Sequence, residues 1–159
     1  MEINTKMFDG YADKYDQWFL TNNKVFESEL KLLHACLNPL KKDKILSVGC
    51  GSGLFESALK NEYGINVEHG LEPSTDMAEI AEKRGVKVEI GDAETTQLKD
   101  EEYDIIYLNG CSTYIADLGK AYKNCYNALK KGGHLILLDV PVESAYGILY
   151  SFANYADGY

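Results

Sequence analysis

The apolar positions of this chain change period several times, and the changes mark its elements. Residues 44–48, Lys-Ile-Leu-Ser-Val, form a short apolar run that reads as a buried strand. Gly49, Gly51 and Gly53 follow at once, and Leu54, Phe55, Ala58 and Leu59 then recur at helical spacing to about Glu62, with Gly64 marking the helix end. Strand, glycine turn and helix make the first half of a βαβ unit. The alternation continues downstream. Residues 65–71 predict strand 2, with Glu72 at its C-terminal end. Ser74 is a fair N-cap for a helix that turns Met77, Ile80 and Ala81 inward and stops at Gly85. Residues 86–90 alternate with Lys87 and Glu89, which suits strand 3 near a sheet edge, and residues 103–108 predict strand 4. A helix is expected over 117–131, with Leu118, Ala121, Tyr122, Cys125, Ala128 and Leu129 on one face and Lys130 and Lys131 complementing its C-terminal dipole. Gly132 and Gly133 turn into strand 5 over 134–140, and Tyr146, Leu149, Tyr150 and Phe152 suggest one last helix.

Before this alternation the pattern is helical throughout. Phe8, Tyr11, Tyr15, Trp18 and Phe19 fall three and four apart, as on one helix face. Asn22 or Asn23 caps a second helix to about Leu37, whose apolar face is Val25, Phe26, Leu30, Leu33 and Leu37, and Asn38-Pro39 ends it. His34 lies inside that helix, where a structural role is expected.

Length and charge narrow the function. The chain has 159 residues, enough for one domain with a real core, and a net charge of −9 with Arg84 as its only arginine. An acidic surface of this kind argues against a nucleic-acid partner and against an anionic membrane surface. No apolar run has transmembrane length and no signal-peptide layout opens the sequence, so a cytoplasmic protein is expected. Cys36, Cys50, Cys111 and Cys125 have no zinc-ligand spacing, so no metal site is expected and free thiols are.

The glycine spacing selects the ligand class. A turn this tight lets a ligand approach the backbone more closely than a Cβ would allow, with helix N–H groups facing it. The dinucleotide fingerprint places a third glycine where this chain has Leu54, which disfavours an NAD-dependent oxidoreductase, and no P-loop lysine follows. The GxGxG pattern instead resembles the first motif of class I S-adenosylmethionine-dependent methyltransferases, in particular the type 11 and ubiquinone-biosynthesis-like small-molecule groups. Glu72, at a strand end, is suited to accept hydrogen bonds from both hydroxyls of a ribose. Gly91-Asp92-Ala93-Glu94 matches the family's G-D-A-E motif, in which the Asp accepts from the adenine amino group and the next backbone N–H donates to the ring. LKKGGHLIL, residues 129–137, resembles L-K-P-G-G-x-L, and Ala12-Asp13-Lys14-Tyr15-Asp16 resembles the A-x-x-Y-D pattern of an N-terminal lid helix.

The resemblance implies a Rossmann-like α/β fold, a doubly wound parallel sheet in the order 3-2-1-4-5 with an N-terminal helical lid over residues 1–38, a nucleotide-binding core over 43–141 and a C-terminal helix or tail over 142–159, all one domain. It implies S-adenosylmethionine as cofactor, held by Gly49, Cys50, Gly51, Gly53, Glu72, Pro73, Met77, Asp92, Ala93, Asn109 and Tyr15, with Tyr11 and Tyr15 near the substrate. The expected activity is methyl transfer to a small molecule. No Ser-His-Asp or Cys-His set is legible, and a base, where one is needed, would come from Tyr11, Tyr15, Asp139 or Glu143. Two departures stand out. Ser47 replaces the family's acid two positions before the first loop glycine, which weakens the anchor for the methionyl ammonium. No apolar alternation follows Pro141 to supply the family's last strand hairpin, so strand 5 is expected to present an open edge. Truncation or natural shortening is favoured over a covering partner, and a cap formed by Tyr146–Phe152 is the third explanation. The edge also offers a route to a homo-oligomer, and the alternative function is a non-catalytic module that binds S-adenosylmethionine or S-adenosylhomocysteine and acts through it.

Overall fold

The computed structural model describes residues 10–157. Among them, five strands form one sheet in the order β3-β2-β1-β4-β5, all parallel: β1 (Ile45–Val48), β2 (His69–Glu72), β3 (Lys87–Ile90), β4 (Tyr103–Asn109) and β5 (Leu129–Leu138). The connecting helices are α3 (Leu54–Tyr63), α4 (Thr75–Lys83) and α5 (Leu118–Ala128), preceded by α1 (Ala12–Thr21) and α2 (Asn23–Leu37) and followed by α6 (Ala145–Asp157). The order and the parallel pairing are those the sequence predicts. None of these helices is long and apolar enough to cross a membrane.

The central strands are apolar on both faces because helices cover both. Ile45, Ile105 and Tyr107 pack against Leu30, Leu33, Leu37, Phe55 and Leu59 on one side. Leu46, Val48, Ile106 and Leu108 pack against Ala121, Cys125 and Ala128 on the other. The α1 face divides: Tyr15 and Phe19 meet Phe26 and Phe55 in the core, whereas Tyr11 and Trp18 are more than half exposed. A helix stripe this wide exceeds the width of the groove it fills. Phe8, part of the expected face, lies outside the described residues. His34 stacks on Tyr63 at 3.8 Å, a structural contact as expected. Asn22 precedes α2, but its side-chain amide donates back to the Trp18 carbonyl at 2.8 Å instead of capping.

Element boundaries differ from expectation at two places. Strand β2 begins at His69, not Ile65, because the Ile65 N–H is bonded to the Leu59 carbonyl and closes α3. Ile65 and Val67 are still buried, as connector rather than ladder. Helix α5 ends at Ala128, and Lys130 and Lys131 belong to β5. Pairing runs from Tyr103↔Leu129 to Ile105↔His134, so residues 130–133 bulge from the ladder, with Gly132 at φ 80°. Lys130 therefore pairs with Asp104 at 2.9 Å instead of facing the helix dipole. Beyond β5, Tyr146, Leu149 and Phe152 of α6 are exposed.

The buried thiols give a direct prediction. Burial pushes Cys111 up to about 12 and Cys125 up to about 11, and raises Cys50 further. Only the thiolate is nucleophilic, so at pH 8 the thiolate fraction of Cys111 falls to roughly one in ten thousand. Iodoacetamide followed by peptide mass spectrometry should modify half-buried Cys36 first and leave Cys50, Cys111 and Cys125 unmodified in the native protein.

Candidate functional site

The strand order reverses between β1 and β4, and the carboxyl ends of these strands open the crevice where open α/β sheets bind ligands. The glycine loop lies there. Gly49, Gly51 and Gly53 have φ of 68°, 55° and 72°, a region costly for residues with a Cβ. Each is glycine for a second reason as well, and the reasons differ. A Cβ on Gly49 would lie 2.9 Å from the Cys111 side chain, and one on Gly53 would lie 3.0 Å from the Ala81 backbone. A Cβ on Gly51 would meet no protein atom within 4 Å and would project into open space. Gly49 and Gly53 are thus fixed by packing, and Gly51 faces the crevice.

The expected cofactor residues gather around this loop. Glu72, buried at the end of β2, accepts from the Gly51 N–H at 2.8 Å through Oε2 and from the Ser74 N–H at 3.0 Å through Oε1. It fixes the loop to the start of α4. Ser74 caps α4, accepting from the Met77 N–H, and Met77 is buried in the first turn. Cys50 turns its thiol inward against Gly70, Ala81 and Val86, so it offers a ligand its backbone alone. Asp92 follows β3. Burial opposes ionisation, but the Thr95 hydroxyl and the Thr95 and Glu94 N–H groups outweigh it and hold the carboxyl below its usual range. The loop it heads is clamped from α5: Asn124 donates to the Ala93 and Thr96 carbonyls at 3.0 and 2.7 Å. Asn109 ends β4 beside the loop, and its Oδ1 is buried without a hydrogen-bond partner. Tyr11 is exposed at the start of α1 under the Lys14 ammonium. Of the expected bases, Asp139 accepts from Ser112 at 2.5 Å and Glu143 is exposed.

Three features escape sequence reasoning. Asp16, the last residue of the A-x-x-Y-D pattern, accepts from Ser52 at 2.5 Å and from Arg84 at 2.6 Å, while Arg84 also donates to the Ser52 carbonyl at 2.8 Å. This triad ties α1 to the glycine loop and to the end of α4. Glu29 of α2 bonds the Asn109 side chain, and burial raises its carboxyl above the ordinary value despite that bond. Glu56, buried in the first turn of α3, accepts from Tyr107 at 2.5 Å beneath the loop. All join residues more than 30 positions apart, where spacing carries no signal.

Residues 46–137 match a family of methyltransferase domains, more than half of the chain. This chain belongs to that family. An uncharacterized protein of Methanocaldococcus jannaschii is 33% identical over 91% of this chain and 66% of its own length. Demethylmenaquinone methyltransferase of Thermotoga maritima is 28% identical over 92% of this chain and 67% of its own. Among solved structures, an S-adenosylmethionine-dependent methyltransferase of Thermotoga maritima, described as a possible histamine N-methyltransferase, superposes with a TM-score of 0.81 at 38% identity and covers 92% of this chain and 66% of that one. The chain thus spans about two thirds of the length of these relatives.

Proposed function

We propose that this domain binds S-adenosylmethionine at the β1–β4 crevice and transfers its methyl group to a small-molecule acceptor. The observation that carries the reading is Gly51: a backbone at φ 55° whose Cβ position is open space, beside a buried carboxylate that already organises the loop. A cradle of this kind leaves room for a ligand against the main chain. In this reading Gly49, Cys50, Gly51 and Gly53 line the cofactor with backbone, Glu72 accepts from its ribose, and Pro73, Met77, Asp92 and Ala93 hold its adenine. Asn109 and Tyr15 border the methyl-bearing end. The cofactor supplies an electrophilic methyl group on a sulfonium. The protein's contribution is alignment and exclusion of water. Helices α1 and α2 act as the lid over that end.

Titration calorimetry with S-adenosylhomocysteine tests the proposal. The native protein should bind, and Gly51→Ala should weaken binding at least tenfold, about 1.4 kcal/mol. Gly64→Ala is the matched control: its φ is 67°, its Cβ would also meet nothing, and it caps α3 away from the crevice. Both variants should lose about 1–2 kcal/mol of stability through backbone strain, but Gly64→Ala should keep native affinity. Equal affinities in the two variants would remove the site from this loop.

A further inference from the structure

The Val48↔Leu108 pairing of β1 with β4 puts Asn109 level with Gly49, at the carboxyl edge of the crevice. Glu29 reaches this edge from α2. A Cβ on Gly110, itself at φ 66°, would stand 4.0 Å from Glu29 Oε1. Glu29 is half-buried and bonded to the Asn109 side chain, whose own Oδ1 is left as a buried acceptor with no donor. Burial raises the Tyr15 hydroxyl of α1, and the charges of Glu29, then of Glu56, Tyr114 and Asp16 add to it. Among the described residues no Lys, Arg or His side chain shifts Glu29. Arg84, the only arginine of the chain, is engaged by Asp16 and Ser52. The Glu29–Asn109 pair at the crevice edge is therefore rich in acceptors, and no cation among the described residues shifts its carboxylate.

We propose that the methyl acceptor is a small amine that enters as its ammonium form and that Glu29 is the base that deprotonates it. This rests on the methyl-transfer reading above. An ammonium supplies both what Glu29 and Asn109 Oδ1 lack, a positive charge and N–H donors. An acceptor bearing phosphate or carboxylate would meet only like charge. An ammonium has no lone pair, so its proton must leave first: the N–H bond breaks, the electron pair stays on nitrogen, and the proton passes to a Glu29 oxygen. The neutral amine then attacks the methyl carbon. The carbon–sulfur bond breaks with its pair going to sulfur, which leaves the neutral thioether and a methylated ammonium product. Glu29 returns its proton to solvent. Burial suits it to this task, since a carboxylate of raised proton affinity is a better base.

The experiment is a titration of the protein saturated with S-adenosylhomocysteine. The probes are phenethylamine and histamine as amines, hydroquinone as a neutral hydroxyl compound, and phosphoethanolamine as a phosphate-bearing one. At least one amine should bind more tightly than hydroquinone and phosphoethanolamine. Glu29→Gln should weaken that amine at least tenfold while binding S-adenosylhomocysteine as the native protein does, which also shows that the variant is folded. With labelled S-adenosylmethionine, Glu29→Gln should lower kcat about a hundredfold with the cofactor KM unchanged, and Glu29→Asp should restore part of it. A native preference for hydroquinone or phosphoethanolamine, no amine binding, or an unchanged amine affinity in Glu29→Gln would each overturn the proposal. Failure of S-adenosylhomocysteine itself to bind the native protein would overturn the methyl-transfer reading and this inference with it.

Discussion

Arg84→Ala should lower stability by about 3 kcal/mol, and it should do so by releasing α1. The Arg84 side chain is 27% exposed and that of Asp16 only 11%, so the pair sits at the margin of the core. Removing one partner of a buried ion pair costs about 3–5 kcal/mol, because the other charge stays buried without compensation. Partial exposure of the guanidinium puts this pair at the lower end. Arg84 also satisfies the Ser52 carbonyl in the glycine loop, and the Ser52 hydroxyl satisfies Asp16. The loss thus reaches the loop as well as the helix. For a domain of this size the melting temperature should fall by roughly 6–12 °C. Lys83→Ala, an exposed neighbour, should stay within about 0.5 kcal/mol. Helix α1 keeps a second tie, the Gly10 N–H to Asp76 at 2.7 Å, so it should loosen at its middle rather than detach. Limited trypsin digestion at Lys14 should accelerate well before global unfolding. A melting point within 2 °C of native, with unchanged cleavage, would show that the triad does not hold the lid.

The triad also marks the boundary of what the sequence made legible. The strands, the glycine loop and the strand-end acids could be read because each is a local pattern: a period, a turn residue, a residue placed after a strand; the sheet order came with the family resemblance. Ser74 and Gly64 perform the capping their types predict. What stayed hidden joins distant segments. Asp16 reads only as the last residue of the A-x-x-Y-D match, and only the fold puts it against Ser52 and Arg84. Glu29 and Glu56 occupy helix positions where a charge reads as solvated. The boundary differences have the same origin. Ile65 is apolar enough for a strand, but its N–H is already used by α3, and Lys130 reads as a helix terminus until Asp104 claims it. Tyr11 shares the spacing of Tyr15 and Phe19, yet periodicity cannot say how wide a stripe the neighbouring helices will cover.

The other large effect lies under the glycine loop, where two substitutions at one hydrogen bond should act in opposite directions. Glu56 is 4% exposed and Tyr107 0%, and the Tyr107 hydroxyl donates to Glu56 Oε1 at 2.5 Å. Oε2 has no partner, although the Ser47 hydroxyl bears on the same carboxyl. Burial raises the Glu56 carboxyl above its usual value, and the hydrogen bonds only partly offset it. A carboxyl whose folded value is raised binds its proton more tightly in the folded state. Its stabilising contribution is complete below the unfolded value of 4.5 and declines as pH rises from there to the raised value. Glu56→Gln keeps the shape and the acceptor for Tyr107 but cannot ionise. It should match the native protein near pH 4 and exceed it at pH 8, by about 1.4 kcal/mol for each unit by which the carboxyl is raised. Tyr107→Phe does the reverse. It removes the donor, leaves both carboxyl oxygens without that partner, and should cost about 1.5–3 kcal/mol, more at pH 8 than at pH 4 because the ionised form depends on the donor most. Urea melts of the three proteins at both pH values give the comparison directly. Glu29 titrates in the same direction, but it is common to all three and cancels in the differences. Parallel pH profiles for native protein and Glu56→Gln would mean that Glu56 is accommodated as an ordinary carboxylate. The buried acid would then be a structural charge rather than a neutral hydrogen-bonding group beneath the loop.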